Sequence, residues 1–399
     1  MHDAIIIGCG PAGNTLAWRL AKRGFNTLMI EKANLPRPKT CAGGLSCKTL
    51  QALPFPVDEV IERRVTGAWL TFRGQTFLHK RMPDAGATVD RARLDQFMTG
   101  QALAAGAELR EGLEFRSFEP NRDGVLVRTG AGEFAGRFLI GADGAASRVR
   151  RLLHPAERLR TAQAIETELF PSAEAFEALG DNALFDFGAL PGGYGWVFPK
   201  RDRFSVGLLR VRRVGDARNL SARLEEFIAR YAFLRGGRVA RACAWPIPVR
   251  PVARRLASGH VLLVGDAAGF GEAFFGEGLF NAVRSANMAY DALRAALEEG
   301  RPAAESYNAR AAAIRRELFF ARLMARLFYA APKFSYDHLV RNRWVNELFS
   351  RLIAGRTSPM RCLLETLLLC PVWAFADAET GVEHFPSAQR GCSHWRFGV

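Results

Sequence analysis

The sequence predicts an α/β chain, α+β overall, with a doubly wound domain, a second domain built on an antiparallel sheet, and a helical C-terminal region. Three observations predict it. The chain opens strand–turn–helix–strand, with Gly8-Cys9-Gly10-Pro11-Ala12-Gly13 as the turn. Two later apolar runs end in Gly141-Ala142-Asp143-Gly144 and Gly265-Asp266-Ala267-Ala268-Gly269. Between these landmarks the pattern changes from unbroken apolar runs to alternation, the period of a strand with one covered face.

The elements follow in order. Ala4 to Ile7 is a β-branched run with no polar face, as a buried parallel strand requires. A helix runs from the glycine turn to Arg23-Gly24, and Thr27 to Ile30 makes the second strand. Alternation from Val65 to Arg81 predicts a hairpin about Arg73-Gly74. Asp95 to Ala105 reads as a helix; Gly124 to Arg128, Phe134 to Ile140, Tyr194 to Phe198, Phe204 to Val211 and His260 to Val264 read as strands. A long helix from Gly278 to Glu299 is stopped by Gly300 and Pro302. The expected division places 1–60, 91–155 and 256–302 in a discontinuous Rossmann-like domain. Segments 61–90 and 156–255 form the sheet domain, and 303–399 the basic helical region with a loose tail.

Composition narrows the class. The chain has 399 residues, 49% of them hydrophobic and 24% charged, an ordinary globular balance. Its net charge of +15 favours an anionic partner: nucleic acid, a membrane surface or a phosphorylated substrate. No nucleic-acid module accompanies the charge, so none is expected to bind. Seven scattered cysteines with no C-x-x-C pair argue against a disulfide framework and against a metal site, and suit a reducing compartment. Met1 runs into a strand, leaving no room for a signal peptide, and the longest apolar run, Cys362 to Ala376, is broken by Glu365 and Pro371. The expected location is cytoplasmic, with the basic C-terminal helices either a solvated face or a peripheral contact with an anionic membrane.

The glycine turn has the neighbours of a dinucleotide site. Gly8 permits the tight turn, Gly10 lets a pyrophosphate reach the backbone, and Gly13 lets helix and strand pack closely. Ala12 lies within the turn, where the helix N-terminus offers free N–H groups to phosphate. Glu31, followed by Lys32, ends the second strand where an acid can accept both ribose hydroxyls. Asp143 and Gly265-Asp266 place acids at two further strand-to-helix turns, which an extended cofactor with a ribityl chain and two phosphates needs and a mononucleotide does not. The cofactor is therefore FAD. The helix beginning at Gly278-Leu279, after Gly276, would turn its positive end towards the flavin pyrimidine ring and favour reduction.

These residues resemble the flavoproteins typified by para-hydroxybenzoate hydroxylase. That resemblance assigns Asp266 to the ribityl–pyrophosphate region, and Arg91 of Arg91-Ala92-Arg93-Leu94-Asp95 to the cofactor, with Arg93 as the competing neighbour. Two patterns are similar to the geranylgeranyl reductase family within this class. Pro191-Gly192-Gly193-Tyr194-Gly195-Trp196-Val197-Phe198-Pro199 fits P-x-x-Y-x-W-x-F-P, and Lys39-Thr40-Cys41-Ala42-Gly43-Gly44-Leu45 follows the adenosine-binding turn. The resemblance runs from Ile5 to Ala289 and implies a reductase that saturates isoprenoid double bonds. It implies a place beside the flavin for Cys41, Ala42 and Gly43, and catalytic roles for Cys41, Tyr194 and Trp196.

Tyr194, Trp196 and Phe198 share strand parity and leave one face, either as an ordinary core strand or as a wall for an isoprenoid or the flavin. Each five-carbon unit buried there would gain roughly 4 kcal/mol gross, at about 0.8 per carbon group. Cys41 is equally a buried small hydrophobe or a reactive thiol. The sequence departs from the family at Ala273-Phe274-Phe275, where a proline usually precedes the Gly-Glu-Gly turn, and Phe274 and Phe275 are expected to shape the substrate space. No second glycine fingerprint for NADPH is present, so the electron donor is expected to be NAD(P)H without a domain of its own or a small redox protein. The alternative is an FAD-dependent monooxygenase or halogenase, although the Trp-x-Trp-x-Ile-Pro segment of halogenases is absent.

Overall fold

The computed structural model describes residues 1–211, 219–251 and 255–373; the expected loose tail lies outside the described residues. Two sheets and a set of C-terminal helices make up the fold. In the first sheet His2–Ile7 lies between Thr27–Ile30 and Gly132–Gly141, parallel to both. Val261–Leu263 and Glu108–Arg110 extend it on either side, also parallel. The chain thus steps from His2–Ile7 to one neighbour and later returns on the other side, which opens a crevice at the carboxyl ends of these strands. Ala4, Ile5 and Ile6 are fully buried, as their unbroken apolar pattern requires. Helices Pro11–Lys22 and Leu279–Glu299 pack together against this sheet through small residues, Ala17, Ala286 and Ala289 among them.

The second sheet has nine strands. Its long hairpin, Ile61–Phe72 with Thr76–Val89, turns where Arg73 and Gly74 both have positive φ, 56° and 67°. It reaches further on each side than alternation alone indicates. Asn182–Asp186 joins this hairpin in parallel, so the expected antiparallel sheet contains one parallel pair. Gly193–Pro199, Phe204–Arg210 and Thr161–Phe170 continue it antiparallel. Lateral pairing puts Trp196, Gly207 and Glu166 in one row across three strands. Gly207 is required there: a Cβ would sit 2.2 Å from Trp196 Cζ2 and 2.5 Å from the Ile165 carbonyl oxygen.

Beyond the first sheet, Ala303–Phe328, Arg343–Ile353 and Pro359–Trp373 are helices, joined by short turns and a π-helical segment Tyr336–Val340. Asn342 caps Arg343–Ile353 by accepting from the N–H groups of Trp344 and Val345. The Tyr336 hydroxyl lies 3.1 Å from the carbonyls of both Leu70 and Thr76, fastening this region to the hairpin. Among the described residues no helix is long and apolar enough to cross a membrane. Replacing Gly207 with Ala should lower stability by about 1–3 kcal/mol through overpacking. A fall in the urea midpoint with a shift in tryptophan emission is the expected result.

Candidate functional site

One cavity of about 690 Å³ runs from the glycine turn, between the two sheets, to the C-terminal helices. At its first end Gly8 has φ +102°, and a Cβ there would meet the Ala142 carbonyl oxygen at 2.6 Å. A Cβ on Gly13 would lie 2.0 Å from the Gly8 carbonyl oxygen, so only glycine lets the helix start so close to the strand. At Gly10 a Cβ would meet nothing, because this backbone faces the cavity. Neither Pro11–Lys22 nor Leu279–Glu299 has a side-chain cap on its N-terminus, and both open on the cavity. Their orphan N–H groups and positive dipole ends make it an anion-binding space.

Acids surround that space. Glu31 is buried and accepts from the Cys9 N–H at 2.9 Å, while Arg37 bridges it to Asp95 at 3.4 and 3.3 Å. Arg91 binds Asp95 through two of its three guanidinium nitrogens, Nε and Nη2, and lies near Cys41. Burial would lower the Arg91 pKa, but Asp95 and then Cys41 hold it above its usual value. Arg91 is buried and lines the cavity, whereas Arg93 is exposed and does not. The helix holding them starts at Arg91, four residues before the sequence expectation, because the Asp90 carboxylate caps the Arg93 N–H.

Asp143 Oδ2 accepts from the N–H groups of Arg148 and Val149, while its buried Oδ1 has no hydrogen-bond partner among the described residues. Asp266 shares the cavity, its pKa raised by burial and pulled back by Lys39, Arg91 and Arg150. A buried, unpartnered carboxylate oxygen is what ribityl or ribose hydroxyls would satisfy, so the residues fit FAD.

The opposite wall is aromatic. Tyr194, Trp196 and Phe198 all face the cavity, with successive ring centroids 6.3 and 6.4 Å apart. The parity argument therefore holds: the three share one face, which borders the cavity. The Trp196 indole N–H donates to Ser205 Oγ at 3.1 Å, and the Ser205 hydroxyl donates to Glu166 Oε1 at 3.1 Å. The Tyr194 hydroxyl donates to the Phe275 carbonyl, and Tyr329 to the Phe274 carbonyl at 2.9 Å.

Glu272 accepts from the N–H groups of Phe274 and Phe275; burial pushes its pKa up to about 7 against those two bonds. Glu277 is held by Lys48, Thr49 and Ser46. The turn 272–277 is thus tied to the second sheet through Tyr194 and Ser46 and to neighbouring helices through Tyr329, Lys48 and Thr49, presenting Gly276 and Gly278 to the cavity.

Most of the expected residues meet here: Gly8, Gly10, Ala12, Glu31, Lys32, Cys41, Ala42, Gly43, Arg91, Asp143, Asp266, Gly276, Gly278 and Leu279 line the cavity with the three aromatics and Phe275. Three do not. Gly13 and Gly265 act by packing, Gly265 with φ +57° and its N–H donated to Ser285 Oγ. Phe274 is a correction: it is 3% exposed and packs behind the wall against Phe328, Tyr329 and Phe349, because its neighbour Phe275 takes the inward direction. Glu166 and Lys39 line the cavity without having been singled out, as do Val340, Asn346, Phe349 and Ile353 of the C-terminal helices. Lys39 lies over the Trp245 ring at 4.2 Å, its pKa lowered by burial and by Arg91. The basic, apolar pattern of the C-terminal region marked a packed face without indicating what it packs against.

Residues 1–171 match the FAD binding domain family. Over 302 residues the chain is 30% identical to digeranylgeranylglycerophospholipid reductase 3 of Methanosphaera stadtmanae, covering 72% of this chain and 76% of that protein. It is 31% identical to the chloroplastic geranylgeranyl diphosphate reductase of Nicotiana tabacum over 327 residues, 74% of this chain and 67% of that one. The geranylgeranyl bacteriochlorophyll reductase-like protein of Thermoplasma acidophilum superimposes with a TM-score of 0.78 at 22% identity, over 92% of this chain and 99% of the other. With the glycine cradle, the paired helix ends and the aromatic wall in one cavity, this chain belongs to the geranylgeranyl reductase family of FAD-dependent oxidoreductases.

Proposed function

We propose that the protein saturates carbon–carbon double bonds of an isoprenoid chain. The observation that carries this reading is the continuity of a single cavity from a phosphate-binding glycine turn to a wall of aromatic side chains. The names of its relatives point the same way. When bound, reduced FAD supplies a hydride at the alkene. Gly8, Gly10 and Ala12 hold the pyrophosphate, Glu31 the adenosine ribose, and Asp266 with Asp143 the ribityl side. Cys41, Ala42 and Gly43 border the ring, with the Leu279 helix end at its pyrimidine edge. Tyr194, Trp196, Phe198 and Phe275 align the prenyl chain and exclude water, while Cys41 sits where a thiol can influence which double bond is presented.

The electrons come from NAD(P)H or a small redox protein, the chain having no nicotinamide domain of its own among its described residues. The enzyme works at the cytoplasmic face of an anionic membrane. Phe319, Phe334 and Trp344 are exposed there, on C-terminal segments that also carry Arg316, Lys333 and Arg343. Such a mixture of aromatic and cationic side chains suits an acidic lipid surface.

The central test is an anaerobic single turnover. Photoreduced holoenzyme mixed with geranylgeranyl diphosphate or a digeranylgeranyl glycerolipid should reoxidise, and the product should gain one hydrogen molecule per double bond by mass. Flavin that stays reduced with every prenyl compound, yet consumes oxygen with a hydroxylated product, would overturn the reading in favour of a monooxygenase. Glu31→Gln should weaken FAD binding roughly 10- to 100-fold, the loss expected for a hydrogen bond to a charged acceptor, read by flavin fluorescence. Vesicles of anionic phospholipid should co-sediment the protein and neutral vesicles should not, and added salt should release it. Equal partition into both would argue against membrane docking.

A further inference from the structure

We propose that Glu166 is the acid that protonates the alkene during reduction. The assignment rests on the isoprenoid reductase reading and supplies the proton source that reading lacks. Hydride alone adds poorly to an unactivated double bond, so a proton must reach the second carbon within the same water-poor space. Among the described residues that line the cavity, Glu166 is the carboxyl group carried on the sheet beside the aromatic wall. It is 8% exposed, and it stands in one row with Gly207 and Trp196. Because Gly207 has no side chain, the Trp196 ring can occupy the space above it, with Cζ2 only 2.2 Å from where a Cβ would stand, and the Ser205 hydroxyl alone links the indole N–H to Glu166.

The hydrogen bonds decide which oxygen carries the proton. An indole N–H can only donate, so the Ser205 hydroxyl that accepts it turns its own hydrogen to Glu166 Oε1. With the Ser205 hydroxyl donating to Oε1, the acid form carries its proton on Oε2. Oε2 makes no hydrogen bond among the described residues, so its proton is not committed elsewhere in the protein. The charged groups facing this carboxyl are Lys200 and Lys39, which favour ionisation, and Glu168, which opposes it. Burial outweighs them and raises its pKa, so the acid form persists to higher pH than for a free glutamate. Asp266 and Asp143 lie at the phosphate and ribityl end, and Glu272 is occupied by two backbone N–H groups. Glu277, near Tyr194, is engaged by Lys48, Ser46 and Thr49, whereas Glu166 is joined to Trp196 of the wall through Ser205.

The step balances. The alkene π pair takes the Glu166 Oε2 proton on its less substituted carbon, the O–H bond breaks, and the more substituted carbon accepts the hydride with its electron pair. The alkene is reduced by two electrons, the reduced cofactor that supplies the hydride is oxidised by two to FAD, and Glu166 is left as carboxylate, reprotonated by water between turnovers. Protonation at the less substituted carbon places the developing positive charge on the tertiary carbon, beside the Trp196 and Tyr194 ring faces that stabilise it.

The test is Glu166→Gln, which keeps an acceptor for Ser205, with Glu166→Asp as a shortened acid. FAD affinity and tryptophan emission should be unchanged in Glu166→Gln, while reoxidation of reduced flavin by geranylgeranyl diphosphate slows at least ~100-fold, the lower range of general-acid catalysis. Glu166→Asp should recover part of that rate. The wild-type rate should fall as pH rises through the Glu166 pKa, and that limb should vanish in Glu166→Gln. A protonated-carboxyl infrared band should be lost in the same variant. Reoxidation of Glu166→Gln as fast as wild type, or an infrared spectrum showing Glu166 ionised throughout the active pH range, would overturn the assignment alone. A wild-type enzyme whose flavin no prenyl alkene reoxidises would overturn the reductase reading together with it.

Discussion

Everything in the site depends on how closely backbone can approach backbone at the glycine turn. The Gly8 carbonyl oxygen occupies the place where a side chain on Gly13 would begin, and the Ala142 carbonyl does the same for Gly8. With those contacts made, Pro11–Lys22 starts directly over the end of His2–Ile7, and its free N–H groups point into the crevice. Leu279–Glu299 packs on that helix through alanines and brings a second uncapped end to the same cavity. An uncapped helix end is ordinarily a defect. Two of them converging on one space make sense only if a polyanionic ligand completes them.

Charge is then arranged around the absence of counter-charge at those ends. Asp95 is fully buried between Arg91 and Arg37, and Arg37 passes the connection to Glu31. Breaking such a chain by removing one member leaves an unpaired charge in a poorly solvated place. Asn14 adds a neutral brace: its amide donates to the Cys9 and Asp95 carbonyls and accepts from Thr99. These hydrogen bonds and ion pairs brace the Glu31 end of the cavity through protein contacts alone.

The cofactor half of this arrangement was legible in the sequence because it is local. Gly8 to Gly13, Glu31, Asp143 and Asp266 sit at strand ends, and strand ends can be located by period and punctuation. The aromatic wall was legible as a face, since parity along Gly193–Pro199 sets Tyr194, Trp196 and Phe198 together. Glu166 was not, because its importance comes from a lateral row spanning three strands whose register no single strand encodes. Lys39 and Arg37 lie in an irregular segment, where spacing says nothing of direction. Phe274 and Phe275 were read as equivalent, and only the anchoring of their carbonyls by Tyr329 and Tyr194 distinguishes inward from outward. The C-terminal helices gave an amphipathic pattern, which states that a face is covered but not by which surface.

That last region has a consequence for what the cavity can hold. The motif resemblance stops at Ala289, whereas the chamber's far boundary is drawn by Val340, Phe349 and Ile353, some fifty residues or more beyond it in number. Tyr336 and the Lys80–Glu347 ion pair moor this boundary to the long hairpin. Depth and chemistry are therefore controlled by separate stretches of polypeptide. A change of bulk at Val340, Phe349 or Ile353 would thus alter the depth of the chamber while leaving the glycine turn at its other end untouched.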